Sequence, residues 1–437
     1  MLSLHSSEIK KYDNARLLLI SAILGTIIFP AHNLNSYCIF GLLFLMLIDG
    51  DWRKNLIKGF TNSLFLSFLL IFLIECTGLL YNDNMKAGLK KIETSAGLIA
   101  LPFLLITGKR FFFLYYKRIM TIYCVLLCMA SLICIVFALY GYILTPATDL
   151  FFYHTLLSPL KHHAVYFSVF MLIALVFLID QKNIVFGKKE LPGWITAMVI
   201  GWMFLFLLLL SSKVMIVSGG ALLFTMLILK LKKKNKTYVA TLLATLVFTA
   251  IIVVFTTNNP VRKRFDDVFS GNAALYRQEK FSTDIYFNGV QFRLLQWRFA
   301  GEIIQEKKAF IAGVSPGDAQ DYLNQKFHET NIYLGDPLRG DTGFLNFNFH
   351  NQFLQAFVES GIIGLLALLL NACWLVILAI RQRNNPALAV ILLIFFFFLT
   401  ESVLERQYGV FIYSFFPLFI LNAPSQTGNK VIFHRFS

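Results

Sequence analysis

Apolar runs of about 17 to 22 residues recur along this chain, and they decide what it can fold into. Each run is long enough to cross a bilayer as a helix, the one open-ended element whose backbone groups satisfy one another without water. A membrane barrel would instead show segments near ten residues with strict alternation, and no such pattern occurs. Composition agrees: of 437 residues, 57% are hydrophobic and 14% charged. A soluble domain carries about 25% charged residues, and a disordered chain needs low hydrophobicity. The expected fold class is therefore all-α, a polytopic membrane protein.

Twelve spans are expected, at 17–31, 34–49, 60–81, 92–107, 119–144, 163–180, 193–211, 213–230, 237–256, 362–380, 386–401 and 408–422. Lys10, Lys11 and Arg16 before Leu17 resemble the start of a signal peptide. No small-residue cleavage site follows, so this run reads as an uncleaved first span. The net charge of +15 is distributed rather than clustered. One alternating set of segments holds 22 Lys and Arg, and the opposite short loops hold 6. The positive-inside rule then places both termini in the cytoplasm. The other 11 basic residues lie in the long segment 257–349 on the outer side, where 11 acidic residues balance them. The charge is thus topogenic, and no nucleic-acid partner is expected. Three regions follow: 1–256 with spans one to nine, 257–349 as a large loop subdomain, and 350–437 with a helix start, three spans and a short tail. The six cysteines all sit in apolar runs, without a CxxC or zinc spacing, so they imply no disulfide framework.

Polar groups on the outer side carry what chemistry there is. The stretch 348–364 reads as a helix entering the membrane, with Asn351, Gln355 and Glu359 forming a stripe at every fourth residue. His350 stands at its start. A neutral imidazole there either takes a proton from a sugar hydroxyl or simply caps the helix or bonds locally. In 292–317, Arg293, Trp297, Ala300 and Ile304 share a helix face, and Gly313-Val-Ser-Pro-Gly317 breaks the helix. Arg293 binds an anion with its bidentate fork or pairs with a nearby acid. Lys213, at the tight Ser211-Ser212 turn, is functional or snorkels to the interface. His162, His163 and Tyr166 could line a polar entrance; adjacent histidines diverge on a helix, so a metal is not expected there. Glu401 and Glu405, four apart beside Arg406, are expected to share a helix face. They orient a base, pair with a basic residue of the long loop, or serve structure alone. Motifs for ATP-driven, zinc-protease and serine-hydrolase chemistry are missing, and no cofactor is expected.

The loop end H-N-Q-F-L-Q-A-F-V-E-S-G-I-I-G, with the Arg293–Trp297 stretch leading to G-V-S-P-G, resembles the hallmarks of the bacterial O-antigen ligase and polymerase superfamily. Ser315 departs from the usual Gly-x-Gly-Pro-Gly. The tail T-E-S-V-L-E-R-Q-Y-G-V resembles a version common in one large group of Gram-negative bacteria. The resemblance implies a GT-C-like glycosyltransferase of the inner membrane, with a periplasmic active site. Its donor would be a glycan on undecaprenyl pyrophosphate and its acceptor a lipid A-core sugar or another glycan, with membrane lipids around both. It implies His350 as the base and Arg293 on the donor pyrophosphate. A second family arginine falls on Lys213, which keeps the charge but loses the fork. Asn351, Glu359, His163, Tyr166, Glu405 and Arg406 are possible supporting residues. Ligase, O-antigen or exopolysaccharide polymerase and protein O-oligosaccharyltransferase share the hallmark and differ in acceptor. A lipid-linked glycan transporter would place its ionisable groups near mid-bilayer, where Glu75 is the clearest one.

Overall fold

The computed structural model describes residues 12–48, 52–181, 185–186, 189–233, 273–285, 287–336 and 341–423, with Leu338 and isolated positions between 235 and 262. Among the described residues, apart from a two-residue antiparallel ladder at Val185–Phe186 and Lys189–Glu190 and an isolated bridge between Asp336 and Asp341, the regular secondary structure is helical. The helices are α1 (Asp13–Ile28), α2 (His32–Ile48), α3 (Trp52–Phe60), α4 (Ser63–Gly78), α5 (Met85–Ser95), α6 (Gly97–Thr107), α7 (Lys109–Leu144) and α8 (Tyr153–Leu156). After them come α9 (Ala164–Asp180), α10 (Gly193–Leu210), α11 (Lys213–Lys233), α12 (Gly289–Glu306), α13 (Ala319–Glu329), α14 (Gln352–Arg381), α15 (Asn385–Phe398) and α16 (Gln407–Leu421).

Among the described residues, five helical segments are long and apolar enough to cross a membrane: Ser63–Tyr81, Lys109–Leu144, Gly193–Leu210, Lys213–Lys232 and Gln352–Arg381. Leu34–Ile48, Ala164–Asp180, Asn385–Phe398 and Gln407–Leu421 are shorter apolar helices. Helices α9 and α16 are buried on nearly every face, as expected of helices that are hydrophobic all round. They form the spine against which α7, α10, α11 and α15 pack.

Two expected spans take a different form. The run 92–107 is divided near Ser95. Amphipathic α5 ends there, and α6 continues for only 11 residues, about 16 Å of helix. The cause is legible after the fact: Lys90, Lys91 and Glu93 cannot enter hydrocarbon together. The run 119–144 extends back to Lys109, giving one helix of 36 residues, about 54 Å long. Its basic first turns carry Lys109, Arg110, Lys117 and Arg118, which therefore lie on helix rather than in a loop. Most of the expected span 237–256 lies outside the described residues, as does much of 257–272.

Between α11 and α14 the chain builds a second apolar core of its own. Phe281, Phe287, Phe292, Leu295, Phe299, Ile303, Leu323, Phe327, Ile332 and Phe349 are buried together. Side chains such as Phe299 and Phe327, 0% exposed, contribute roughly 1.5–3 kcal/mol each by leaving water. Helix α12 starts with a reciprocal cap: Asn288 accepts from the Gln291 backbone, and the Gln291 side chain accepts from the Asn288 backbone.

This segment is fastened to α14 through backbone. The expected continuous helix over 348–364 is interrupted at Ser360 (φ −131°, ψ 16°) and Gly361 (φ 61°, ψ −162°). The break fits the loop 310–315. Val314 and Ser315 donate their N–H groups to the carbonyls of Val358 (2.8 Å) and Glu359 (3.1 Å), and Ile362 donates to Phe310 (2.8 Å). A Cβ at Gly313 would strike the backbone of Glu359 and Ser360, and one at Gly361 would strike that of Ile311. Gly313-Val-Ser-Pro-Gly317 therefore does not end α12, which already stops at Glu306; it docks on the break in α14. On its other side Pro316 packs against Gly78, Ser315 Oγ donates to Asn82 Oδ1 (2.6 Å), and Tyr81 OH donates to the Ala312 carbonyl (2.5 Å).

Candidate active site

His350 is presented by a short loop held from below by α12. The Gln296 side chain donates to the Asn348 carbonyl, and Trp297 Nε1 donates to the Phe349 carbonyl at 3.2 Å. His350 takes a left-handed backbone (φ 47°), and its N–H donates to Asn348 Oδ1 at 3.0 Å. A non-glycine residue held there is costly enough to be worth a reason. The helix cap comes not from His350 but from Asn351, whose Oδ1 accepts from Phe353 and Leu354 N–H. Asn351 Nδ2 also donates to the Leu399 carbonyl at 3.3 Å, tying α14 to the end of α15. Asn351 is thus a frame for the site.

The ring of His350 points at Glu401. Nδ1 lies 3.1 Å from Glu401 Oε2, and the other carboxylate oxygen, Oε1, accepts from Arg293 Nη2 at 3.2 Å. Arg293 also donates from Nε to the Thr400 carbonyl (3.2 Å) and from Nη1 to the Gly289 carbonyl (3.0 Å). Glu401 is nearly buried, 6% exposed, while His350 is 17% and Arg293 30% exposed. Glu401 lies past the end of α15, outside the helix. Burial works to raise its pKa, but the His350 hydrogen bond and the charges of His350 and Arg293 hold it down to about 2. The carboxylate is therefore ionised and can only accept, so Nδ1 carries the proton. In the neutral ring Nε2 is then the basic nitrogen, and it has no partner among the described residues. A carboxylate that fixes tautomer and ring orientation is a recurrent way to prepare a histidine base.

The pair Glu401 and Glu405 does not share a face. After α15 the chain leaves the helix and turns through a short 3-10 segment, Val403–Glu405. Glu401 goes to His350 and Arg293, and Glu405 goes elsewhere. Glu405 pairs with Lys91, which also meets Glu359 Oε2 at 3.2 Å. Gln355 Nε2 donates to Glu359 Oε1 at 2.7 Å. Glu75 adds a third carboxylate to the surroundings of Lys91. Glu359 and Glu405 therefore belong to this second, buried centre and not to the one at His350. In the sequence Lys91 counts only among the six basic residues of the outer short loops. Its position on one stripe of α5 with Gly88 and Ser95, all buried, was the available signal.

His163 precedes α9, with its ring 4.4 Å from that of His154 and 5.6 Å from that of Tyr166. His162 turns the other way, its Nε2 3.2 Å from the Ile27 carbonyl. Tyr166 OH donates to the Ser402 carbonyl at 3.3 Å, so it braces the loop that carries Glu401. Arg406 lies over Tyr166 and Tyr408 and donates from Nη1 to Tyr408 OH at 2.8 Å. Lys213 opens α11 after Ser211, which adopts φ 50° at the turn. The ion pairs joining Arg293, Glu401 and His350 do not include it. Among the described residues no group of three or more His, Cys, Asp or Glu is placed to hold a metal ion.

The chain gathers a histidine, a carboxylate and a guanidinium between the segment that precedes α14 and its last helices, the groups that acid–base work on a substrate uses. Residues 196–369 match the family model described as O-antigen ligase, and this match supports the O-antigen ligase superfamily. The family handles glycan and lipid substrates, and the match supports glycosyltransferase activity of the ligase or polymerase type. No curated protein matches the chain. The matched stretch contains Lys213, Arg293 and His350, whereas Lys91, Glu401, Glu405 and Arg406 lie outside it.

Proposed function

We propose that this protein is an O-antigen ligase of the bacterial inner membrane, with both termini cytoplasmic and its site on the periplasmic face. On this reading 257–349 is the large periplasmic subdomain, standing between spans one to nine and the last three. The observation that carries the reading is Glu401, which joins His350 and Arg293 and leaves His350 Nε2 as the base. The donor is a glycan on undecaprenyl pyrophosphate, and the acceptor is a hydroxyl of lipid A-core. Nε2 takes the hydroxyl proton as the oxygen attacks C1. The C1–O bond to pyrophosphate breaks, a C1–O bond to the acceptor forms, and the configuration at C1 inverts. Negative charge collects on the leaving pyrophosphate, and fixed cations in a water-poor site stabilise it. Arg293 is the first of these, and Lys213 is proposed as another. Each such donor is worth about 2.7–4 kcal/mol of barrier by the scale of removing one charge-stabilising group.

The test is the lipopolysaccharide of a deletion strain run beside a probe for undecaprenyl-linked glycan. Bare core with long glycan accumulating on the carrier supports the ligase. Core capped by a single repeat makes the protein a polymerase instead. An unchanged profile overturns both and directs attention to glycoproteins or a secreted polysaccharide. Complementation with His350→Ala, expressed at wild-type level, is expected to behave as the deletion.

A further inference from the structure

The charge balance at Glu401 exposes a shortfall. Arg293 is paired with Glu401, and His350 leans on the same carboxylate. Guanidinium and carboxylate cancel, so beyond this pair Lys213 is the one cation proposed so far for a leaving group that carries more than one negative charge. Arg406 differs. Its side chain is exposed, and among the described residues no carboxylate pairs with it. Its neighbour in sequence, Glu405, is drawn away by Lys91, and Glu401 is occupied. Arg406 is also held in place. Nη1 donates to Tyr408 OH, and Cζ stands 6.0 Å from the Tyr166 ring centre and 5.9 Å from that of Tyr408. Tyr166 OH in turn donates to the Ser402 carbonyl, on the loop that carries Glu401. Arg406 stands at the N-cap of the 15-residue α16, whose dipole adds to its field. Among the described residues one of its five N–H donors is used, which leaves an edge of the fork for an oxyanion.

We propose that Arg406 is a further anion-binding residue of the His350 site, beside Arg293 and Lys213, taking a phosphate of the donor's pyrophosphate. The proposal rests on the glycosyl-transfer reading above and names a ligand contact within it. Phosphate groups of a lipid A-core acceptor share this chemistry, and the experiment separates the two sources.

The full chain, wild type, Arg406→Gln and Arg406→Lys, is reconstituted in lipid nanodiscs. Binding of undecaprenyl pyrophosphate and undecaprenyl phosphate is measured, followed by transfer with donor and acceptor varied in turn. Arg406→Gln is expected to weaken undecaprenyl pyrophosphate binding roughly ten- to a hundredfold, the range for a hydrogen bond to a charged group, with a smaller loss for the monophosphate. Arg406→Lys keeps charge without the fork and is expected to fall between. If Arg406→Gln does not elute as a folded species, Arg406→Lys alone decides. Unchanged pyrophosphate binding overturns the proposal, and so does a rise in acceptor KM with donor KM unchanged. Wild type that binds no undecaprenyl pyrophosphate overturns it too. Wild type that binds the carrier but transfers no glycan sinks the ligase reading, while the Arg406 contact is still decided by the binding series.

Discussion

The loop between α15 and α16 hands one carboxylate to each of two ion-pair centres, and the two are built differently. Glu401 meets a histidine and an arginine that remain 17% and 30% exposed. Glu405 meets Lys91, which is 6% exposed and shared with Glu359. In the first centre a ligand can reach both partners of the carboxylate. In the second, burial works against the Lys91 charge, and the surrounding carboxylates hold its pKa above the ordinary value. Solvent exposure, rather than the number of charges, separates a centre suited to turnover from one that fastens helices together.

The sharpest way to break this contrast is His350→Ala. General-base catalysis is worth roughly 10²–10⁴-fold, so turnover should fall by that much with the thermal midpoint unchanged. A matching fall in the midpoint would make His350 structural. Lys91→Met should do the reverse: lose about 3–5 kcal/mol of stability by leaving carboxylates buried and unpaired. Thermal unfolding in detergent checks it, and a midpoint within a degree of wild type would mean the centre is wet. Glu401→Gln retains the shape but not the charge. Losing the group that orients a working histidine typically costs 10–100-fold, so activity should drop by about that factor. Gly361→Ala tests the fastening itself. Its φ and ψ fall in a region that is essentially glycine-only, worth about 1–3 kcal/mol, and the added Cβ meets Ile311.

The smallest effect concerns acid. Glu401 is held at about 2, below its ordinary value of 4.5, so its contribution is present above the ordinary carboxylate range. As pH falls from there through about 2, protonation removes it. Midpoints measured between pH 6 and 3 should decline for wild type, and more gently for Glu401→Gln. Equal slopes would place the acid sensitivity elsewhere.

Much of this arrangement is readable from residues. The apolar runs gave the helical membrane class, and His350 and Arg293 stood out by position and type. Glu401 could be suspected of orienting a base, because a carboxylate at a span end has to be satisfied. The pairing of Glu401 and Glu405 on one face failed for a physical reason: four-residue spacing means a shared face only while the helix lasts, and α15 ends at Phe398. Glu359 and Lys91 were illegible as partners, because 268 residues separate them and no local pattern encodes the approach. The docking of the Gly313 loop on the break at Gly361 was hidden likewise, since each glycine reads alone as a turn signal.

That contact bears on engineering. Moving the segment between α11 and α14 from a relative, to change what is glycosylated, is a natural experiment in domain grafting. Because the seam is backbone against backbone, a graft must carry Gly313, which faces Glu359 and Ser360, together with Gly361, which faces Ile311. A junction placed between them would shift His350 and Arg293 together out of register with Glu401 before any substrate arrived.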